Sequence, residues 1–599
     1  MSFTDSLVHN TDPNPYNQLI VQSQKMINDA FYNMWAIADT GSPLLSLDVT
    51  VSDVGELKGD LDAPSASLHV TSSTPQLYFF VTFTSGTLTL DTNKSWDVTG
   101  WKFSFPVNIG TVVLNSGDPG YDDYKTKMGI TDGDFSLAQL YIDASQATEL
   151  DMDRSSFGTE VWSSETDTIQ QDFKDFVQGW ITQMADGDKT IIGVALQTSN
   201  PSSVNSVAPT FPPTSLDETM YPWIDPSSPG QATDDLDANA LCYLMMTGNV
   251  SPPSPPSLPY SGTWVNDQDN NQGVLCMNSS QFWDQWLLPL VQVVNAATEV
   301  YPTTPYLDAN WDGSGAVAPE LYVGYNPDHT DSSDSYFSFG ASGVNTWTWT
   351  GDSQSSHNDA SADLGSWWNE LEAWENTNSS SSLQFDQGGQ QISFTGVSTF
   401  EFTVKQSGVV SGPYKTEATF TITTNWHLNF ALGVVSDGGL QIALIPDPEG
   451  TSACTSTGES QTEGIDWDID WDTYTNYISS TINDTFSSNL GEVENDLLEA
   501  LADQHKLFLP ASGTFLMEDA MFNDRGDLLA TLHYNGAPPP GQDAKMPAYL
   551  AKLPKRLAKR PVVPRKKPHG PFRGPLMKIP AKEAVPVGGV PPKVAGKGK

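Results

Sequence analysis

Apolar residues recur along this chain at two different periods. Between residues 16 and 38 they return every three or four positions, which predicts a helix with one apolar face. From Leu45 the period changes to two, and the alternating runs that begin at Leu45, Leu77 and Trp101 predict strands. Because polar residues separate the apolar ones, we expect antiparallel strands with one face on a core and the other in water.

The same periods return further along the chain. A helix is predicted for residues 164–185, alternating strands for 400–444, a long amphipathic helix for 472–506, and a closing strand pair at 513–516 and 528–534. The order is helix, sheet, helix, then sheet, helix, sheet. The chain is therefore predicted to be α+β and mainly β.

Prolines and serines mark the predicted joints. Residues 200–230 are rich in both, and the run SPPSPPS at 251–257 is typical of a polyproline spacer. The polar, Ser-rich residues 352–387 are predicted to form an exposed insertion. The predicted domain map is an N-terminal sheet-plus-helix unit over 1–200, a Pro-rich junction over 201–260, a second sheet-plus-helix unit over 261–535 and a disordered basic tail over 536–599.

Charge is distributed unevenly. The 599 residues include 28 Lys and Arg against 73 Asp and Glu, a net charge of −45. Residues 541–599 hold 15 of the basic residues and only two of the acidic ones, so the rest of the chain carries −58. A body this acidic repels phosphate, and sequence-specific nucleic acid is not an expected partner. Two interpretations of the tail stay open: an arm folded onto the acidic body, or a tether to an anionic membrane or polyanion.

The N-terminus and the cysteines bear on where the protein acts. The chain opens with polar residues, and no run of about 18 apolar residues occurs, so we expect a cytoplasmic protein. Cys242, Cys276 and Cys454 match neither a disulfide framework nor a zinc pattern. They are predicted to be reduced, structural thiols.

The usual catalytic motifs do not occur in the sequence. It lacks a Gly-x-Ser-x-Gly elbow, a His-Glu-x-x-His pair, a phosphate-binding loop and a Cys-x-x-Cys motif, and its eight histidines are scattered singly. We therefore predict that the protein is not an enzyme and needs no cofactor or metal. An unrecognised hydrolase remains an alternative, because nucleophile and base can lie far apart in sequence.

Two acidic clusters offer oxygen ligands for calcium. Asp466, Asp468, Asp470 and Asp472 would share one face of a strand, and residues 267–273 resemble the start of a calcium loop. The first is better explained as a solvated face of an acidic protein. The second lacks glycine at its sixth position and an acid at its twelfth, where Asn278 stands, which favours a plain turn.

Large aromatic residues occupy the apolar positions of the predicted strands. They most simply build a core, but they could instead line a cavity between sheet and helix, where a lipid chain replaces side-chain packing. The residues predicted to line such a cavity are Phe31, Phe79, Phe83, Phe103, Phe105, Phe420, Phe430 and Ile478.

Three segments resemble the tubular lipid-binding (TULIP) superfamily, in particular the OrfX-type proteins of clostridial toxin gene clusters. They are the helix MINDAFYNMW at 26–35, the motif FWDQWLLP at 282–289 that follows LCYLMM at 241–246, and the closing FLPASGTF at 508–515 with GDLL at 526–529. The resemblance covers residues 14–534 loosely, and the basic tail departs from it.

The resemblance implies a fold and a function. The fold is two curved antiparallel sheets, each packed on a long amphipathic helix. The function is non-catalytic binding of a lipid or other amphiphile in an apolar groove between sheet and helix, by this chain alone or as a component of a protein complex. The alternative is a structural or assembly protein that binds other proteins and has no lipid ligand.

Overall fold

The computed structural model describes the chain with gaps. The described residues are 16–36, 38, 40–71, 76–90, 94–114, 136–143, 151–157, 175–176, 179–180, 191–197, 211, 213–225, 232–234, 236–253, 258, 263–265, 273–308, 320–322, 324–326, 334–363, 368–409, 413–434, 440–445, 454–464, 476, 479–480, 482–484, 486–488, 490–491, 515–534, 572–573 and 577–578.

Most of the described chain is β-strand, as the sequence predicts. The strands up to Met277 are β1 (Gln18–Ser23), β2 (Ser46–Val51), β3 (Gly55–Leu61), β4 (Ser65–Leu68), β5 (Gln76–Leu90), β6 (Ser95–Asp97), β7 (Lys102–Leu114), β8 (Ser136–Asp143), β9 (Ile191–Gln197), β10 (Pro213–Tyr221), β11 (Ala240–Thr247) and β12 (Gly273–Met277). The later strands are β13 (Tyr301–Pro302), β14 (Tyr306–Asp308), β15 (Glu320–Tyr322), β16 (Gly324–Asn326), β17 (Gly340–Ala341), β18 (Thr346–Thr350), β19 (Gln354–Asp363), β20 (Trp368–Phe385), β21 (Gln391–Val409), β22 (Pro413–Val434), β23 (Leu440–Ile445), β24 (Cys454–Gly464), β25 (Phe515–Phe522), β26 (Leu528–Tyr534), β27 (Phe572–Arg573) and β28 (Met577–Lys578).

The helices are fewer and shorter. They are α1 (Gln24–Ala36), α2 (Ser279–Phe282), a π-helical turn (Trp283–Leu287), α3 (Leu288–Thr298) and a 3-10 turn (Asp334–Phe337). The described residues within 175–180 and 476–491 are also helical, inside the helices predicted for 164–185 and 472–506. Among the described residues, no helix is both long and apolar enough to cross a bilayer.

The N-terminal sheet is antiparallel and curved, with the order β2-β3-β5-β7-β8-β9. Two helical segments pack against it through hydrogen bonds to the backbone. The side-chain amide of Asn28 on α1 bonds both the N–H and the carbonyl of Ala66 on β4, at 2.7 and 3.0 Å. The indole of Trp180 donates to the carbonyl of Pro43 at 2.6 Å. These residues confirm a sheet packed on helices.

A central sheet joins the two ends of the chain. Its order is β10-β11-β1-β12-β26-β25, so β1 pairs with β11 and β12, and β12 pairs with β26. The closing strand pair is confirmed as β25 and β26. Strands β10 and β11 lie within the predicted junction, and the sequence does not predict that they share a sheet with both ends.

The helix predicted over residues 16–38 is wrong in its first part. It begins at Gln24, because Gln18–Ser23 is strand β1. Every residue of β1 is buried, with apolar clusters on both sides: Ile20 belongs to one, and Leu19 and Val21 belong to the other. A strand that is buried on both faces does not alternate apolar and polar residues. Its short apolar run is therefore equally consistent with the start of a helix.

The C-terminal sheet is built on very long strands. Its order is β17-β18-β20-β21-β22-β23, with β19 beside β20 and β24 beside β22. The 22 residues of β22 extend over about 70 Å at roughly 3.3 Å per residue. The exposed insertion predicted for 352–387 is wrong, since these residues include the whole of β19 and β20. Leu371, Ala373, Leu383 and Phe385 are buried at the two ends of β20, but Glu375, Thr377, Ser379 and Ser381 occupy the buried positions between them, so the apolar alternation is interrupted in the middle of the strand.

Trp283 connects the central and C-terminal sheets. Its ring stacks on Trp347 and Phe385 with centroids 4.5 and 5.2 Å apart, and its indole N–H donates to the carbonyl of Gly526 at 2.9 Å. The turn between β25 and β26 is thereby held against the end of the C-terminal sheet.

Two small sheets involve residues of the predicted basic tail. Strand β27 pairs with β16, and β28 pairs with β15. The remaining tail residues, and with them the prediction of disorder, lie outside the described part of the chain.

Candidate ligand-binding site

The structure places most of the predicted cavity residues in the interior. Ile478 lies outside the described residues. The others are each at most 3% exposed, and they are Phe31, Phe79, Phe83, Phe103, Phe105, Phe420 and Phe430.

In the N-terminal unit, the predicted residues contact one another. Phe31 meets Phe79 edge-on with ring centroids 5.6 Å apart, and Trp180 stacks on Phe79 at 6.2 Å. Phe83 and Phe103 are in edge contact at 5.7 Å. Phe105 lies opposite Phe79 on the neighbouring strand. These rings fill the space between sheet and helix as a core does.

The two predicted phenylalanines of the C-terminal unit lie far apart. Phe420 and Phe430 are on the same face of β22, but ten residues separate them, which is about 33 Å along the strand. Phe420 contacts Phe402 at 4.9 Å, whereas Phe430 pairs with Ile392 near the other end of the sheet. They cannot contact the same small ligand.

A row of hydroxyl groups crosses the interior of this sheet between those two positions. Ser379, Ser398, Thr424 and Ser456 occupy directly opposed positions on β20, β21, β22 and β24. Ser398 donates to the carbonyl of Thr298, at the end of α3, at 2.6 Å. We call these four residues the hydroxyl row.

Two residues of the hydroxyl row, Ser379 and Ser456, make hydrogen bonds to the segment that follows α3 and to a second helical segment. The backbone N–H of Val300, just after α3, donates to Ser379 at 3.2 Å. The backbone N–H of Ser456 donates to Asn483, which is helical, at 3.2 Å. Helix α3 therefore ends at this row, and the strands continue beyond it.

The part of the interior beyond the hydroxyl row is mostly apolar. We call it the distal interior face. Its residues are each at most 4% exposed, and they are Ala373, Glu375, Thr377, Phe400, Phe402, Val404, Thr416, Ala418, Phe420 and Ile422.

Polar groups border this apolar face. The carboxylate of Glu375 is fully buried and accepts hydrogen bonds from the Thr303 hydroxyl at 3.3 and 3.5 Å. The hydroxyls of Thr377 and Thr416 are also buried, and neither makes a hydrogen bond to any residue that the structure describes. Burying a hydroxyl without a partner costs about 1–3 kcal/mol, so each is expected to bond an ordered water or a polar group of a ligand.

A second buried acid lies where α3 ends. Glu299 is 3% exposed and accepts hydrogen bonds from Tyr301 and, at 2.6 Å, from Tyr336. Burial and the hydrogen bond to Glu299 raise the pKa of the Tyr336 hydroxyl to about 12. This tyrosine therefore stays a neutral donor at physiological pH.

The sequence does not point to Glu375, Thr377 or Thr416 as site residues. Each stands in a polar stretch where an exposed position is the ordinary expectation. Only the pairing register puts them on the interior face, since Glu375 lies opposite Phe402 and Thr377 opposite Phe400. The only signal in the sequence is that Phe400 and Phe402 alternate with polar residues. This alternation shows which residues of β21 face the interior, but it does not fix the register in which β20 pairs with β21.

Metal and thiol chemistry find little support in the described residues. No group of three or more His, Cys, Asp and Glu side chains there could hold a metal ion. Asp466 to Asp472 and residues 267–272 lie outside the described residues. The three cysteines are free and buried, and burial raises the pKa of each thiol, to about 11 for Cys454.

Comparison with known proteins gives similarity at the level of structure only. No family model matches the chain, and no curated protein matches it. One similar structure is P47 of Clostridium botulinum E1, with 10% identity and a TM-score of 0.36 over 87% of this chain and 100% of that one. Another is a lipopolysaccharide binding protein, with 11% identity and a TM-score of 0.28 over the same shares. Both TM-scores are low, so the function proposed below rests on the geometry of this chain.

Proposed function

We propose that the protein binds an amphiphile, without catalysis, on the distal interior face of the C-terminal sheet. The observation that carries the proposal is the mixed character of that face. Apolar residues such as Val404 and Phe420 are bordered by the buried, unpartnered hydroxyls of Thr377 and Thr416. A molecule with an apolar chain and a polar end satisfies both kinds of surface.

The polar border indicates the kind of head group. Glu375 and Thr303 offer a carboxylate and a hydroxyl, and the chain has a net charge of −45. An anionic phosphate head would be repelled by both the local and the overall charge. A neutral, hydroxyl-bearing head, such as that of a monoacylglycerol, can donate to Glu375 and bond Thr377. We therefore propose neutral amphiphiles as the ligand class.

Of the phenylalanines predicted to line a cavity, the proposed site includes one. Phe420 is retained, since it lies on the distal interior face. Phe430 lies beyond the hydroxyl row from that face, opposite Ile392, and is assigned to packing. The N-terminal unit holds the others, which pack on one another there, and they are Phe31, Phe79, Phe83, Phe103 and Phe105.

Purification without detergent, followed by lipid extraction and native mass spectrometry, tests the proposal. We expect a bound neutral lipid, or uptake of a fluorescent monoacylglycerol by the ligand-free protein. If neither is found with the full chain, the proposal is wrong. One stoichiometric protein partner without lipid would instead support a structural or assembly protein.

Replacing either of two buried alanines by leucine tests where the ligand binds. Ala418 lies on the distal interior face, and Ala66 lies in the N-terminal interior, 3% exposed. Ala418→Leu should reduce the bound lipid, because the larger side chain competes with the ligand for the distal interior face. Ala66→Leu should leave lipid binding unchanged and cost about 1–3 kcal/mol through overpacking. The same loss of stability in both variants would indicate a filled C-terminal core.

A further inference from the structure

The outer face of the C-terminal sheet contains a trough on the side opposite to α3. Its volume is about 750 Å³, and residues of β18, β20, β21, β22 and β24 line it. Thr348, Ser382, Thr395 and His427 form one row across four of these strands, each directly opposite the next. At roughly 4.8 Å between strands, the five strands give the trough a length of about 19 Å.

The trough is lined by groups without a fixed charge, both polar and apolar. Its lining consists of Thr, Ser, Asn, His, Trp, Val and Gly side chains and backbone, and no Asp, Glu, Lys or Arg is among the lining residues. This is unusual in a chain with 73 Asp and Glu. A metal cation would need carboxylates, and an anion would need basic groups. The lining therefore favours a neutral ligand that offers both hydrogen-bonding groups and apolar surface.

The floor of the trough is fixed from beneath. Ser381, between the outward-facing Ser380 and Ser382, donates to the Asn295 side chain on α3 at 2.6 Å. The indole of Trp349, between Thr348 and Thr350, donates to the carbonyl of Tyr336 at 2.9 Å. Hydroxyls on a backbone held in this way are already in position, so binding loses little conformational entropy.

From these observations we propose that the trough binds a neutral oligosaccharide, lying across the strands. Its hydroxyls recur at the spacing between strands, about 4.8 Å, which is comparable to the length of one pyranose unit. Successive sugar units of a linear chain can thus meet successive Ser and Thr side chains. Sugar hydroxyls both donate and accept, as do the Ser and Thr side chains that line the trough. This site lies on the opposite face from the proposed amphiphile site, and neither proposal depends on the other.

Titration of the full-length protein with neutral hexaoses tests the proposal. The probes are cellohexaose, maltohexaose and laminarihexaose, with a heparin-derived hexasaccharide as the charged control. We expect at least one neutral hexaose to bind and the heparin fragment not to bind. The double variant Thr348→Val, Thr395→Val removes two hydroxyls at constant shape and should weaken binding about tenfold or more.

The matched control is Thr421→Val, on the outer face of β22 but outside the trough. It should bind as the unmodified protein does. Val397→Glu, which puts a charge in the trough without touching the core, should abolish binding and leave the thermal transition unchanged. The proposal is overturned if no neutral hexaose binds at millimolar concentration, or if the trough variants bind as Thr421→Val does. It is also overturned if Val397→Glu instead dissociates a dimer of the chain, which would identify the trough as an interface between copies.

Discussion

The indole of Trp426 occupies the space that a side chain on Gly396 would need. The two residues lie opposite each other on β21 and β22, and a β-carbon on Gly396 would be 2.2 Å from Cζ2 of the ring. Trp426 also contacts Phe394 at 4.9 Å and is 3% exposed, so the ring has little room to move away.

Gly396→Ala should therefore destabilise the protein by about 1–3 kcal/mol, as overpacking of a filled core does. Urea unfolding followed by tryptophan fluorescence measures the loss. Gly343→Ala is the control, because its β-carbon would come no closer than 3.6 Å to Thr346. Equal stability of the two variants would show that Trp426 does not lie over Gly396.

Ser398→Ala should weaken the contact between the hydroxyl row and the end of α3. The substitution leaves the buried carbonyl of Thr298 without its 2.6 Å hydrogen bond, and we expect a loss of about 1–3 kcal/mol. Ser393→Ala, on the outer face of the same strand, should change the free energy of unfolding by less than about 0.5 kcal/mol. Chemical denaturation of both variants checks this, and similar effects in the two would contradict the role of the row.

Phe31→Ala should cost about 3–5 kcal/mol, because Phe31 is 1% exposed and its ring meets Phe79. Its neighbour Tyr32 is 38% exposed, so Tyr32→Ala should cost about 1 kcal/mol or less. Thermal or urea unfolding measures both. If the loss for Phe31→Ala stays below about 1 kcal/mol, α1 faces solvent or an empty groove.

Asp527 should make stability depend on pH. Its carboxylate accepts hydrogen bonds from the Ser279 N–H and the Asn523 side chain, both at 2.8 Å, but burial dominates and raises its pKa above the ordinary 3.8. The folded state then binds the proton more tightly than the unfolded state. Its contribution to stability is greatest below pH 3.8 and is lost as the pH rises through the folded-state pKa.

The measurement is the difference in unfolding free energy between the unmodified protein and Asp527→Asn, which cannot titrate. As the pH rises from about 4 to 7, the unmodified protein should lose stability relative to the variant. A difference that is constant over this range, or one that changes in the opposite direction, would show that the hydrogen bonds to Ser279 and Asn523 outweigh burial.

The sequence predicts a strand of this fold well where that strand has one solvent-exposed face and one buried face. The strands that begin near Leu77 and Trp101 alternate apolar and polar residues, and the structure has β5 and β7 there. Strand β1 is buried on both faces, and β20 has polar residues on both faces over 375–382, so neither shows a continuous alternation. A pattern of apolar and polar residues predicts a strand only where the buried positions are apolar and the exposed positions are polar. Neither strand meets that condition.

The site is less predictable than the fold. Phe420 is found because a large apolar residue on a strand is conspicuous. Thr377 and Thr395 look alike in sequence, yet one is buried in the interior and the other lies in the outer trough. The side of the sheet each faces is set by its pairing with partners such as Phe400 and His427, and those pairings join residues far apart in the chain.

During synthesis, strand β1 is made long before the strands with which it pairs in the central sheet. Its neighbour β12 starts 250 residues after β1 ends, and β26, the next strand, lies close to the end of the described body. At about 5–20 residues per second, the ribosome needs roughly 10 to 50 seconds to supply β12. One edge of the Leu-Ile-Val segment of β1 stays unpaired until β11 is made and the other until β12 is made, and we expect this exposed apolar strand to be a target for chaperones.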